Sequence, residues 1–136
     1  FMSQNLYIKD FKSLKVWQKA TELTSEIYKI TKKFPKFETH IIVSQLLRAC
    51  TSIGANIAEG NTQLYKSREY YHYNLALGSA GETRNFLAIA LMNEYITKDE
   101  YDALELRLSE IIKMLHGCIR KLQSESGSEL NGASMV

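Results

Sequence analysis

In four successive stretches of this chain, apolar residues return at three- and four-residue spacing, and no stretch of useful length alternates with period two. The first pattern places a buried stripe along one side of an α-helix, and the second would mark a strand. A chain patterned in this way must bury helix against helix. The first stretch runs from about Ser13 to Phe34, with Trp17, Ala20, Leu23, Thr24, Ile27 and Ile30 as its stripe. Asp10 or Ser13 can cap its start, and Pro35 ends it because the residue before proline avoids the helical region. The second runs from about Thr39 to Glu59 on Ile42, Leu46, Ala49, Cys50, Ile53 and Ile57. Gly60 then stands where a left-handed residue commonly closes a helix.

The third stretch begins at Ser67, a good N-cap, and reaches about Tyr95, with Leu77, Ala80, Leu87, Ala90 and Leu91 as core positions. Gly78 and Gly81 lie inside it, each costing about 1 kcal/mol relative to alanine. Two such residues in one helix point to close packing of another backbone. The fourth opens with Thr97-Lys98-Asp99-Glu100, a capping box in which Thr97 and Glu100 satisfy each other's exposed N–H groups. Leu104, Leu108, Ile111, Leu115, Ile119 and Leu122 follow at helical spacing. Short connections make consecutive helices antiparallel neighbours, so the expected fold is an all-α, up-down-up-down four-helix bundle.

The 136 residues fit one domain. The division expected is a flexible segment 1–9, a bundle over 10–123 and a disordered Ser-, Gly- and Glu-containing tail over 124–136. No run of about 18 apolar residues is found, so no membrane span is expected. Phe1 to Asp10 lacks the basic-then-apolar layout of a signal peptide. Cys50 and Cys118 fall inside helical patterns and match no zinc or redox spacing. They read as free thiols in a reducing cytoplasm.

The net charge of +2 is too small to imply nucleic acid, but its distribution is uneven. Residues 1–68 hold 11 Lys/Arg against 5 Asp/Glu, and residues 69–136 hold 6 against 10. Lys12, Lys15, Lys19, Lys29, Lys32 and Lys33 carry most of the basic excess and are the candidate nucleic-acid contacts. Such asymmetry can guide self-association, attract an anionic partner or simply solvate a helix face.

No constellation points to a cofactor or a metal. His40, His72 and His116 fall on three different helices, and no pair has the four-residue spacing of two ligands on one face. Arg68 and His72 do share a face, and such a pair could cleave RNA with the imidazole as base and the guanidinium on the phosphate. The ordinary reading is that both are polar side chains facing water, and no catalytic residue is assigned. More distinctive is the polar stripe of Arg48, Ser52, Asn56 and Glu59, which runs beside the apolar stripe of helix two. Ser79 and Glu82 lie at compatible spacing on helix three. These six residues are expected in a hydrogen-bonded network within or between subunits, since buried polar groups need partners. Tyr70, Tyr71 and Tyr73 crowd the start of helix three, and tyrosines favour protein interfaces. Interleaved with Lys66, Arg68 and His72, they could alternatively stack bases.

Several of these stretches carry a family resemblance. Phe11-Lys12-Ser13-Leu14-Lys15-Val16-Trp17-Gln18-Lys19-Ala20 resembles a family's opening signature, and Thr31 to Pro35 its first-helix ending. Ser44 to Cys50, and Ser52 to Gly60 with Asn56-Ile57-Ala58-Glu59-Gly60 at its end, resemble its most specific stretch. Glu69, Ala76 to Ser79, and Glu82 resemble its third-helix pattern. The family is the bacterial four-helix-bundle proteins encoded in intervening sequences of 23S ribosomal RNA genes, to which the accessory proteins of diversity-generating retroelements are similar. The resemblance implies a four-helix protomer, assembly into a homopentameric ring, and an association with RNA or with a nucleic-acid-bound protein. It implies no enzyme activity. The reading is therefore a non-enzymatic oligomeric scaffold, with a protein–protein adaptor as the alternative and a ribonuclease using Arg68 and His72 as the third.

Overall fold

The computed structural model describes residues 9–126, and the segments 1–8 and 127–136, where flexible ends are expected, lie outside them. Four helices dominate: α1 Lys15–Thr31, α2 Ser44–Asn61, α3 Lys66–Met92 and α4 Lys98–Ser126. No strand occurs among the described residues. Cross-helix contacts fix the directions. Thr24 of α1 donates to the Cys50 carbonyl of α2, and Gly60 of α2 lies against Tyr73 of α3. Arg84 of α3 pairs with Glu105 of α4, and Lys19 of α1 pairs with Glu110 of α4. Each neighbour is antiparallel, so the chain runs up, down, up and down around one core. Leu23, Ile27, Leu46, Ile53, Ile57, Leu87, Leu108, Ile111 and Leu115 fill that core and are fully buried.

The tightest seam joins α2 to α3. Both helices bury several small residues, Ala49, Cys50 and Gly60 on α2 beside Leu46, Ile53 and Ile57, and Ala76, Ser79, Ala80 and Thr83 on α3 beside His72, Tyr73 and Leu87. Small residues let two backbones approach, and the Thr83 hydroxyl is satisfied within its own helix by the Ser79 carbonyl at 2.8 Å. Gly60 does not take the left-handed role expected of it. It is buried inside α2, which continues through Asn61. A Cβ there would sit 2.9 Å from Tyr73 Cε1 and 3.0 Å from His72 Cβ. The residue is glycine because α3 passes too close for anything larger.

The left-handed position falls at Glu94 instead, with φ 60°. There the Tyr95 N–H reaches back to the Ala90 carbonyl at 2.9 Å, and the Glu94 N–H to Leu91 at 3.0 Å. This six-to-one closure is the Schellman end of a helix, so α3 stops at Met92, short of Tyr95. Tyr95 then ties the two chain turns at this end of the bundle together. Its hydroxyl donates to Glu38 at 2.7 Å, and its ring packs on Phe34 at 5.3 Å.

Other boundaries differ from the expected ones for local reasons. The capping box forms as read: the Thr97 N–H donates to Glu100 Oε1 at 2.8 Å, and the Glu100 N–H to Thr97 Oγ1 at 3.1 Å. Asp10 caps a short 3₁₀ turn, Phe11–Ser13, and leaves α1 to start at Lys15 with no side-chain cap. Ser67 is not a cap, because the Arg68 and Glu69 N–H groups already bond the Tyr65 carbonyl. The approach to α2 is a wide π turn, Thr39–Val43. α4 carries Ser124–Ser126 as helix, where a tail is expected to begin. The helical stretch 36–61 is by length and composition apolar enough to cross a membrane, a test that the core helix of a bundle also passes, and its stripe of Ile42, Leu46, Ala49, Cys50, Ile53 and Ile57 is buried inside this bundle.

Two substitutions have opposite expected signs. Gly60→Ala forces α2 and α3 apart and should cost about 1–3 kcal/mol, the range for overpacking. Glu94→Gly removes the left-handed penalty of a residue with a Cβ and should stabilise by about 1 kcal/mol. Urea unfolding of both variants checks the pair.

Candidate functional site

The polar residues of α2 face two directions, and the structure separates them. Asn56 turns toward α3. Its Nδ2 donates to the Ser52 carbonyl at 2.9 Å, which leaves Oδ1 aimed at His72 Nδ1, 3.4 Å away. The other ring nitrogen, Nε2, lies 3.8 Å from Glu59 Oε2. His72 is thus buried against two oxygen acceptors, both one helix away. This corrects the expectation that it sits on an open face with Arg68. Arg68 is exposed and lies over the Tyr71 ring, 5.1 Å from its centroid. The guanidinium and the imidazole therefore do not converge on a common substrate position.

Asn56 and Glu59 belong to this inter-helix cluster, and Ser52 contributes its carbonyl. Ser79 is buried on α3, where its carbonyl accepts from Thr83, and is not part of it. Arg48 and Glu82 are exposed, and their side chains make no hydrogen bond or ion pair among the described residues, although the Arg48 carbonyl accepts from the Thr51 hydroxyl at 3.1 Å. The expected six-residue network is therefore a smaller cluster plus two outward charges. The member that sequence spacing missed is His72. Its signal was the glycine at position 60, which admits the His72 and Tyr73 side chains to the α2 backbone.

The three tyrosines also divide. Tyr73 is buried, at 3% exposure, and its hydroxyl donates to Glu69 Oε2 at 2.7 Å. It cannot offer a docking face as expected. Tyr70 is half-buried against the core. Tyr71 is exposed and meets the edge of the His72 ring. Tyr65 and Leu64, in the loop before α3, are more exposed still.

Half of the candidate lysines are engaged by carboxylates. Lys19 lies 3.4 Å from Glu110, Lys29 lies 3.6 Å from Glu26, and Lys33 bonds Glu100. Lys33, and after it the Thr97 N–H, hold the Glu100 carboxyl below its usual range. The basic first half and the acidic second half of the chain thus meet along the α1–α4 contact. Lys12, Lys15 and Lys32 are exposed with no ion pair among the described residues. Between α1 and α4 an open groove of about 390 Å³ is lined by Lys29, Lys33, Glu100 and Arg107, charges of both signs.

Neither thiol is activated. Burial pushes the Cys50 thiol up to about 11, against a weaker opposing hydrogen bond with Thr24. Burial also raises Cys118, with Glu69 adding to it. Among the described residues no group of three or more His, Cys, Asp or Glu could hold a metal.

Burial, and after it the Glu69 carboxylate, hold the Tyr73 phenol above its ordinary 10.0. The unfolded chain therefore releases this proton near pH 10 while the folded chain keeps it. The Tyr73 contribution is fully present below pH 10 and is lost as pH rises further. Tyr73→Phe should cost about 1 kcal/mol near neutrality, the net value of one hydrogen bond. It should also fall less steeply than the parent between about pH 9 and 11, as read by urea unfolding at several pH values.

Comparison with known proteins agrees with this architecture. The model of the family described as 23S rRNA-intervening sequence protein matches residues 12–117. A crystal structure of a protein of unknown function from the S23 ribosomal protein family of Bacteroides thetaiotaomicron VPI-5482 is similar at a TM-score of 0.71. It shares 31% sequence identity, over 76% of this chain and 97% of that one. No curated protein matches the chain.

Proposed function

The chain belongs to the 23S rRNA-intervening sequence protein family, and from that premise we propose that it is a non-enzymatic, cytoplasmic scaffold that assembles with copies of itself. One observation carries the reading. Phe37 and Ile41, in the turns that lead into α2, are exposed, and so are Ile89 and Met92 near the C-terminal end of α3. Exposed large apolar side chains suit an interaction surface, and a second copy covers them in this reading. The homopentameric ring implied by the family resemblance is the form of assembly proposed. The burial of His72 against Asn56 and Glu59, with Arg68 over the Tyr71 ring, weighs against the ribonuclease alternative.

The proposed nucleic-acid role rests on Lys12, Lys15 and Lys32, together with repetition. One protomer presents too few free cations for firm backbone binding, and an assembly multiplies them through avidity. The pairing of Lys19, Lys29 and Lys33 with carboxylates favours the adaptor reading, in which only proteins are bound.

Light scattering of the purified protein should give a multiple of the chain mass, and a monomer at micromolar concentration removes the scaffold reading. Filter binding to a structured RNA should be measurable at low salt and weaken steeply as salt rises. Replacing Lys12, Lys15 and Lys32 with alanine should weaken binding and flatten the logarithmic salt dependence by about 0.9 per lost phosphate contact. Absence of binding at low salt leaves the adaptor reading in place.

A further inference from the structure

The turn that joins α2 to α3 carries apolar surface with no use inside the protomer. Leu64 and Tyr65 are 92% and 68% exposed. Six residues after Tyr65, Tyr71 is exposed as well, in edge contact with His72. Arg68 lies over the Tyr71 ring, 5.1 Å from its centroid. Further along α3, Gly78 and Gly81 leave the outer side bare. A Cβ at either would meet nothing within 4 Å, so the close packing expected of these glycines does not occur within one chain. Exposed aromatic surface on this helix is concentrated at its start.

Positive charge gathers at the same end of the bundle. With each helix divided at its midpoint, the half that holds this turn comprises residues 9–23, 53–79 and 112–126, with 9 Lys/Arg against 5 Asp/Glu. The other half, residues 24–52 and 80–111, has 8 against 9. The two halves of the sequence do not show this, because α4 is acidic over 98–111 and basic over 112–126. Two adjoining grooves put the cations in line. One, of about 310 Å³, is lined by Lys9, Lys66 and Lys121 together with Glu69 and Glu125. The other, of about 330 Å³, shares Leu14, Cys118 and Lys121 with it and adds Lys15. Glu69 engages Lys9 at 3.6 Å, and Glu125 engages Lys66 at 2.9 Å. Lys15 and Lys121 are exposed with no ion pair among the described residues. The line thus runs from Lys66, next to Tyr65 in the chain, to the start of α1.

A cationic track beside exposed rings suits single-stranded nucleic acid, because phosphates follow the cations while bases stack on the aromatics. Bases in a duplex stay stacked on one another and out of reach of such rings. Resting on the nucleic-acid role proposed above, we infer that this end of the bundle holds unpaired RNA, with Tyr65 and Tyr71 stacked on bases and Lys15, Lys66 and Lys121 along the backbone. Arg68, held over Tyr71, adds a planar cation on which a base also stacks. Phe37, Ile41, Ile89 and Met92, which a second copy covers in the proposed assembly, lie toward the opposite end, so the two surfaces do not compete.

Salt dependence separates stacking from charge. An oligouridylate of about 12 nucleotides should bind the purified protein at low salt more tightly than a duplex RNA of the same length. Tyr65→Ala and Tyr71→Ala should each weaken that binding about 5- to 100-fold, the range for one stacked base. Neither should change the logarithmic salt slope, since a ring releases no counterions. Tyr65→Phe, which keeps the ring, should bind like the parent. Lys15→Ala and Lys121→Ala should each flatten the slope by about 0.7, the value per phosphate of a single strand. Circular dichroism should show parental helicity throughout, since all four altered side chains are exposed. A parent that binds RNA, with both tyrosine-to-alanine variants binding equally well or with the duplex bound as tightly as the single strand, overturns the stacking site and leaves the nucleic-acid role of the lysines. A parent that binds neither RNA at low salt overturns that role and this inference with it, and leaves the turn to a protein partner.

Discussion

The close approach of α2 and α3 is the constraint on which the rest of the structure depends. At Gly60 the two helices come so near that a single added carbon would press on Tyr73 and His72. Small buried residues, Ala49 on α2 and Ala76, Ser79, Ala80 and Thr83 on α3, accompany that approach. The approach also carries polar consequences. It buries His72 beside Asn56 and Glu59, and it buries the Tyr73 ring while its hydroxyl keeps the Glu69 carboxylate. Side chains that look like surface chemistry in the sequence become fastenings between two helices.

Electrostatics follow from the bundle order. The basic excess lies in the first half of the chain and the acidic excess in the second, and the antiparallel fold brings α1 and the turn after it beside α4. Lys19 and Lys33 meet Glu110 and Glu100 across that contact. Pairs at this exposure add little stability individually, roughly 0–1 kcal/mol. Their larger effect is to cancel much of the field that an uneven charge distribution would otherwise project. Lys12, Lys15 and Lys32 are among the cations that stay outside these pairs, as do Arg48 and Glu82 on α2 and α3. An interaction surface built mainly on shape and apolar contact fits that residue of charge better than one built on a strong basic patch.

Most of the fold was legible in the linear pattern. The number of helices, their order, the capping box at Thr97 and Glu100, and most of the core stripes depend on spacing of four residues or fewer, which the chain carries locally. The candidate site was legible only in part. Asn56 and Glu59 were singled out correctly as neighbours on one face, but their partner on α3 was assigned to a different role. Gly60 was read as a helix end, since a glycine after an apolar stripe looks the same whether it turns the chain or admits a neighbour.

The sequence by itself therefore determined that this is a bundle of four amphipathic or apolar helices and where most of them begin and end, because periodicity and capping act within a few residues. Tertiary structure alone decided which polar groups are buried, which lysines are neutralised and which glycine needs to be one. Those outcomes depend on the distance between helices, and that distance is set by side chains far apart in the chain. α3 shows both halves of this division. Its even spread of apolar residues could be read from the sequence, but only the placement of α2 and α4 against it decided that Leu87 is buried while Leu75 and Ile89 stay exposed.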